Sequence, residues 1–281
     1  MAVQLKENRI KPFLRWAGGK TWFIEDLGRI IEGKNFTNYY EPFLGGGSVF
    51  FSLSVTNAVA TLSDANKELI DTYISIRDNV EEVIQHFASY KNTADFYYEL
   101  RAKEPIDHCE RAARFIYLNH TSYNGLYRVN RQGKYNVPFG NRKSDALDID
   151  EIRRASIALK GVELISGDFE NRTDLIHEGT LVFLDPPYTV SHNDNGFIQY
   201  NQSIFSIEDQ KRLAEYIQFI INRGAYFILT NAAHDSIREI FSKCGQSMLV
   251  ERQSLIGGKK AKRGLTSELV FTNIDINDGV I

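Results

Sequence analysis

Five short apolar runs punctuate the chain, and each stops at a turn or an acidic residue. Tyr39-Tyr40-Glu41-Pro42-Phe43 leads into Gly45-Gly46-Gly47, and Ala58-Val59-Ala60-Thr61-Leu62 into Ser63-Asp64-Ala65-Asn66. Val162-Glu163-Leu164-Ile165 leads into Gly167-Asp168-Phe169. Leu181-Val182-Phe183-Leu184 leads into Asp185-Pro186-Pro187-Tyr188, and Ala225-Tyr226-Phe227-Ile228-Leu229 into Thr230-Asn231. Apolar runs of this length read as buried parallel strands. Helical periods separate them. Ser206-Ile207-Glu208-Asp209 has the form of a capping box and precedes Leu213, Ile217, Ile220 and Ile221 on one face; Leu69, Ile70 and Tyr73 follow Asp64 in the same way. Residues 249–255 and 268–272 read as two further strands joined by a basic, Gly-rich loop. Strand–helix alternation builds an open α/β sheet of Rossmann-like kind, which binds ligands at the carboxyl ends of its strands.

The alternation breaks between residues 67 and 160, where no buried parallel strand is expected. Residues 110–119 are helical in pattern, with Ala112, Phe115, Ile116 and Leu118 apolar. Tyr127-Arg128-Val129-Asn130, the turn Arg131-Gln132-Gly133 and residues 134–139 then read as a β-hairpin. The expected organisation is a catalytic domain of residues 1–66 and 161–281 with an inserted domain, helical plus β-hairpin, at 67–160. Cys109 and Cys244 lie far apart and outside C-x-x-C spacing, which excludes a disulfide framework and a cysteine zinc site. The histidines have no H-E-x-x-H or other ligand spacing, so no metal is expected. The polar N-terminus holds no signal-peptide core, and no apolar run approaches the ~20 residues of a membrane span. A cytoplasmic setting without membrane contact is expected. The sequence is silent on oligomeric state and compatible with a monomer.

Asp185-Pro186-Pro187-Tyr188 carries the sharpest chemical signal. Proline cannot continue a central strand or donate a backbone hydrogen bond, so two in succession end the strand and stiffen the chain. Asp185 is thereby fixed at the edge of the sheet, with proline carbonyls as further acceptors and the Tyr188 ring beside them. Two acceptors and a stacking surface suit a planar group bearing an NH₂; the alternative is a rigid turn after a strand. Gly18-Gly19-Lys20-Thr21 invites a P-loop reading, but the glycine that motif requires falls at Leu14, and no buried strand precedes it. Neither cysteine follows a proline, since Cys109 follows His108 and Cys244 follows Lys243.

These residues together resemble the Dam-type (D12 class) N6-adenine-specific DNA methyltransferases. Asp185 to Tyr188 resembles motif IV of the amino-group methylases, and Pro12-Phe13-Leu14-Arg15-Trp16-Ala17-Gly18-Gly19-Lys20 the family's N-terminal motif. Glu41-Pro42-Phe43-Leu44-Gly45-Gly46-Gly47-Ser48 resembles the glycine-rich motif I. Asp64 and Gly167-Asp168-Phe169 occupy the acidic positions after the second and third strands. Asn124-Gly125-Leu126-Tyr127-Arg128 through Asn136-Val137-Pro138-Phe139-Gly140 resembles the target-recognition hairpin. The likeness runs from about residue 12 to 273 in the family's order.

The resemblance implies an S-adenosylmethionine-dependent methyltransferase that modifies adenine N6 in double-stranded DNA. It implies a cofactor held by Trp16, Gly18, Lys20, Glu41, Pro42, Phe43, Gly45, Gly47, Asp64, Asp168, Phe169 and Asp185. Asp64 also lies about twenty residues after the glycines, the usual offset of a ribose-hydroxyl ligand. Catalysis is expected from Asp185, Pro186 and Tyr188. DNA contacts are expected from Tyr123, Asn124, Leu126, Arg128, Arg131, Lys134, Asn141, Arg142, Lys259 and Lys260, with Arg128 reading a guanine in a GATC-like or related site. Asn141-Arg142-Lys143 stands where the family commonly has an Arg-Tyr pair, and residues 192–197 also depart from the best-known members, so the other bases stay open. The alternatives are another acceptor, namely cytosine N4, RNA or a protein amide, or a DNA-binding relative without catalysis. Asp185 favours adenine, because N4 enzymes often carry Ser there and amide-modifying relatives Asn.

The net charge of −3 does not by itself point to nucleic acid. Its distribution does. Residues 123–143 and 256–264 together hold nine Lys and Arg and no Asp or Glu. The rest of the chain carries 24 positive against 36 negative residues, an acidic body with two basic loops suited to phosphate contacts.

Overall fold

The computed structural model describes residues 3–6, 9–55, 59–130, 132–141, 147–189, 205–253 and 265–275. Its centre is a seven-stranded sheet. In chain order the strands of this sheet are β2 (Asn38–Glu41), β4 (Val59–Asp64), β5 (Glu163–Ser166), β6 (Thr180–Leu184), β7 (Tyr226–Ala232), β8 (Gln246–Gln253) and β9 (Leu265–Thr272). They are arranged β5-β4-β2-β6-β7-β9-β8. The first five run parallel, and β9 and β8 close the edge antiparallel. A separate two-stranded ribbon, β1 (Val3–Leu5) with β3 (Leu53–Val55), is one that hydropathy did not signal.

Period-two alternation splits the core. Leu181 and Phe183 of β6 pack into one buried cluster, Val182 and Leu184 into another on the opposite face. Each such fully buried side chain contributes about 1.5–3 kcal/mol, which is why the central strands are apolar on both sides. The strand expected at residues 162–165 departs from this rule. β5 is only partly buried because it forms the edge of the sheet.

One face is covered by α1 (Ile24–Ile31), α2 (Lys67–Phe87), α4 (His108–Thr121) and α5 (Ile149–Leu159). The other is covered by α6 (Ile207–Asn222) and α7 (Asp235–Ile240). Side-chain caps define most starts: Asn66 for α2, Asp107 for α4 and Asp148 for α5. Ser206 and Asp209 form the full capping box that the sequence announced for α6. None of the described helices is long and apolar enough to cross a membrane.

Within residues 67–160, α2, α4 and α5 bury Leu69, Ile76, Phe115, Ile116, Ile152 and Leu159 in the same cluster as the sheet. A smaller cluster of Tyr97, Leu100, Tyr117, Leu118, Tyr135 and Val137 stands apart, built by α3 (Ala94–Ala102), α4 and the segment after it. The expected hairpin is reduced here to two isolated bridges, Val129↔Tyr135 and Ser122↔Phe139. Its turn is closed by Gly133 N–H donating to Asn130 O at 2.9 Å. Asn130 Oδ1 accepts from Gln132 N at 2.9 Å and Lys134 N at 3.0 Å, an Asx turn. Asn136 N donates to Arg128 O at 3.0 Å and Asn130 N to Lys134 O at 2.8 Å, so a short hairpin forms, while Tyr135 turns inward and donates to Leu126 O at 2.6 Å.

Candidate active site

From β2 the chain crosses to β4 on one side, while β6 lies on the other and continues to β7. This is the topological switch point, where open α/β sheets bind ligands. Glu41 ends β2 there, Asp64 ends β4, and Asp185 follows β6.

The glycine turn after β2 is set by close approach. Gly45 has φ +49°, and a Cβ on it would stand 2.8 Å from the Trp16 ring. Gly47 has φ +69°, and its Cβ would meet the Tyr73 hydroxyl at 2.9 Å. Gly45 N donates to Asp64 Oδ2 and Asn66 N to Asp64 Oδ1, both at 2.9 Å. One carboxylate therefore ties the turn to the end of β4. Burial pushes the Asp64 carboxyl up, and these two backbone donors act against the shift. Lys20 N donates to Ser48 Oγ at 2.9 Å, which binds the N-terminal motif to the same turn. Pro42 is buried and Phe43 half-buried beside it.

Glu41 is 2% exposed and accepts the Tyr39 hydroxyl at 2.7 Å. Burial raises its carboxyl to about 8, and the nearby Asp185 and Asp64 push in the same direction.

Asp185 Oδ1 accepts from Lys20 Nζ and from Thr230 Oγ1, both at 2.8 Å. Burial pushes this carboxyl up, Lys20 pulls it down, and the Glu268 charge pushes it up again. Lys20, itself 2% exposed, also donates to Gly18 O at 2.7 Å and lies 5.0 Å from the centre of the Tyr188 ring. Pro186 is buried, and Tyr188 is half-buried with its hydroxyl donated to Glu268 Oε2. Below the tetrapeptide runs a buried polar chain. Gln210 Nε2 donates to Thr189 Oγ1 and Asn231 Nδ2 to Gln210 Oε1, each at 2.9 Å. Thr189, Gln210, Asn231, Thr230 and Glu268 were not singled out from sequence. Only Thr230-Asn231, at a strand end, gave any local signal.

At the end of β5, Asp168 accepts from Glu170 N at 3.1 Å and from Arg212 Nη2 at 2.9 Å. Phe169 is 3% exposed, with Phe43, Phe205 and Tyr216 around its ring and the Arg212 guanidinium 5.0 Å from its centroid. Phe43 thus links the Asp168 corner to the glycine turn.

Most of the described residues expected to contact DNA are exposed. Tyr123 is 54% exposed; Asn124, Arg128, Lys134 and Asn141 are exposed, and Leu126 half-buried. Asn124 (φ 56°) and Asn141 (φ 47°) are left-handed, a conformation asparagine tolerates better than most residues. Arg128 Nε donates to Asn136 Oδ1 at 2.8 Å, and Lys134 pairs with Glu104 at 3.0 Å. Arg131, Arg142, Lys143, Lys259, Lys260 and residues 192–197 lie outside the described residues.

Asn119 joins the two regions. This fully buried side chain accepts from Arg15 N at 2.7 Å and donates to Arg15 O at 2.7 Å and Gly125 O at 3.2 Å. Next to Arg15, Trp16 stacks on Tyr127 with ring centroids 5.6 Å apart. The glycine turn, Trp16 and the recognition turn therefore pack as one block. Asn119 closed the apolar helical pattern in the sequence, which gave no sign of this bridge.

The profile of the D12 class N6 adenine-specific DNA methyltransferases matches residues 16–255. A Type II methyltransferase of Lactococcus lactis subsp. cremoris is 32% identical, with 96% of this chain and 98% of the relative aligned. Another, of Methanocaldococcus jannaschii, is 32% identical across 93% of this chain and 99% of its own. The DNA adenine methylase of Escherichia coli (strain K12) is 30% identical across 92% of this chain and 94% of its own. Taken with the seven-stranded sheet and the acidic residues at its switch point, these matches make the chain a member of the D12 class of N6 adenine-specific DNA methyltransferases, an enzyme of DNA adenine methylation.

Proposed function

We propose that the chain uses S-adenosylmethionine to methylate a flipped-out adenine of double-stranded DNA, with Asp185, Pro186 and Tyr188 contacting the base. The observation that carries this reading is Asp185 itself, an acidic acceptor at the switch point whose Oδ1 is gripped by Lys20 and Thr230. The surrounding residues fit the cofactor. The corner is dominated by Glu41, Asp64, Asp168 and Asp185, while its cations Lys20 and Arg212 are held by carboxylates. Such a site suits a cationic, hydroxyl-rich ligand without phosphates. Asp64 already accepts two backbone bonds, yet a carboxylate has about four acceptor sites and retains capacity for ribose hydroxyls. Trp16, Gly18, Lys20, Glu41, Pro42, Phe43, Gly45 and Gly47 would enclose the methionine end, with Asp168 and Phe169 at the adenine.

When bound, the cofactor supplies a sulfonium methyl. The protein supplies orientation. The target base must leave the stack for its amino group to be reached. Tyr188 stacks on it, while the Asp185 carboxylate and the Pro186 carbonyl accept the two amino hydrogens. This draws the nitrogen lone pair out of ring conjugation and points it in line with the methyl. No covalent enzyme intermediate is required.

Tyr123, Asn124, Leu126, Arg128, Arg131, Lys134, Asn141 and Arg142 of the inserted domain, with Lys259 and Lys260, would contact DNA. Arg128, steadied by Asn136, would read a guanine. Two measurements test the proposal. Equilibrium binding of S-adenosylmethionine should saturate, and single-molecule sequencing of DNA from cells expressing the chain should place N6-methyladenine at one recurrent site. Absence of saturable binding would favour a DNA-binding relative without catalysis, and N4-methylcytosine would move the acceptor to cytosine.

A further inference from the structure

Glu268 sits on β9 opposite Ala232 of β7 and Val250 of β8, and only 2% of it is exposed. A carboxylate this deep in a sheet costs several kcal/mol unless it is paired, so its partners explain its presence. Tyr188 donates its hydroxyl to Oε2 of Glu268, and Lys20 Nζ lies 3.9 Å from the same oxygen. That ammonium is also 2.8 Å from Asp185 Oδ1 and 5.0 Å from the Tyr188 ring centre. Both ends of the Asp185-to-Tyr188 tetrapeptide are therefore held by one Lys20–Glu268 pair whose members come from opposite ends of the chain.

We propose that Glu268 is a positioning residue of the methyl-transfer site. It fixes the direction of the Tyr188 ring axis through the phenolic oxygen and holds Lys20 against Oδ1 of Asp185. The stacking surface for the base and the acceptor for its amino group then keep a single relative geometry. This inference rests on the proposed reading of Asp185 and Tyr188 as the residues that contact the base.

Lys20 and Thr230 both occupy Oδ1, and among the described residues no donor is placed on Oδ2. Oδ1 is thus saturated by protein donors, which leaves Oδ2 for the acceptor role. A ring held only at its Cβ can swing about the Cα–Cβ bond. Anchored at the far end by Glu268, it cannot swing away without breaking a buried, charge-assisted hydrogen bond. Because a misplacement of about 1 Å can slow a transfer about 100-fold, such an anchor acts on the rate of the chemical step and not on ligand affinity.

The test measures the single-turnover rate on unmethylated plasmid DNA with enzyme and S-adenosylmethionine in excess, alongside the equilibrium affinity for S-adenosylmethionine. The proteins compared are wild type, Glu268→Gln, Tyr188→Phe, the double variant and Asp185→Ala. Glu268→Gln removes the charge but keeps the shape, and Tyr188→Phe removes the hydroxyl but keeps the ring. Each should slow the step at least tenfold and leave cofactor affinity within about threefold. The double variant should fall short of the product of the two single losses, because both break one contact. A Glu268→Gln rate within twofold of wild type, or losses that multiply, overturns the proposal. Where Glu268→Gln does not fold, Tyr188→Phe decides, and a wild-type rate for it overturns the proposal. Asp185→Ala separates the two levels. If it too keeps its rate, the reading of the whole site fails and the role of Glu268 fails with it; if it is inactive while Glu268→Gln is unaffected, only the role of Glu268 fails.

Discussion

At the carboxyl end of the sheet, Lys20 and Glu268 are each 2% exposed, lie within ion-pair distance of each other and hold Asp185 and Tyr188 respectively. On the recognition segment, Tyr123 is 54% exposed, and Lys134 and Glu104 meet with 64% and 71% of their side chains in solvent. The same residue types serve opposite ends in the two places. Buried charges hold one another in fixed positions, so changing one leaves another unpaired and alters chemistry or folding. Exposed charges are solvated and rearrange freely, so changing one should leave the fold unaltered. Asn119 is where the two regions meet, and it has the buried, fully used character of the first.

That contrast breaks most visibly at Lys20. Lys20→Met leaves Asp185 and Glu268 without their shared cation, and urea unfolding should show a loss of about 3–5 kcal/mol. A loss below about 1 kcal/mol would place Lys20 with the surface pairs. Gly45→Ala should be milder, about 1–3 kcal/mol, from its positive φ and the Trp16 ring 2.8 Å from the added carbon. It should also weaken S-adenosylmethionine binding in calorimetry.

Glu41 sharpens the comparison through pH. Burial raises its carboxyl from the ordinary 4.5 to about 8 in the folded protein, so the folded state keeps a proton that the unfolded chain gives up. The associated stability is fully present below the unfolded value and is lost as pH climbs to about 8, at on the order of 1 kcal/mol per pH unit. Glu41→Gln should flatten this part of the stability–pH curve between pH 5 and 8. Parallel curves for the two proteins would show that Glu41 does not carry the effect. The smallest change belongs to the recognition side. Lys134→Ala should be silent in denaturation and reduce the salt slope of DNA binding by about 0.9 if that lysine meets one phosphate. An unchanged slope would remove Lys134 from the DNA face.

Legibility in the sequence divides along chemical range. The strand ends, the α6 capping box and the glycine turn are written in consecutive residues, and hydropathy period or turn chemistry exposes them. β5 read as fully buried because an edge strand can be as apolar as a central one. Residues 127–139 have hairpin composition and pair as a short antiparallel hairpin, with Asn136 N on Arg128 O and Asn130 N on Lys134 O. Glu268 was hidden for another reason. Between Ser267 and Leu269 in a strand, an acidic residue reads as the solvent face of a period-two pattern, and its true partners, Lys20 and Tyr188, are far away in the chain. Asn119 likewise looks like the polar end of an amphipathic helix until Arg15 is brought beside it.

The account stands most directly on Asp185. Single-turnover methyl transfer by Asp185→Ala, measured with S-adenosylmethionine affinity on the same preparation, should fall by at least about 100–1,000-fold, the usual loss of one preorganised group. Cofactor binding should stay near wild type. Turnover close to wild type in a variant that binds cofactor normally would contradict the assignment of the reaction to this end of the sheet.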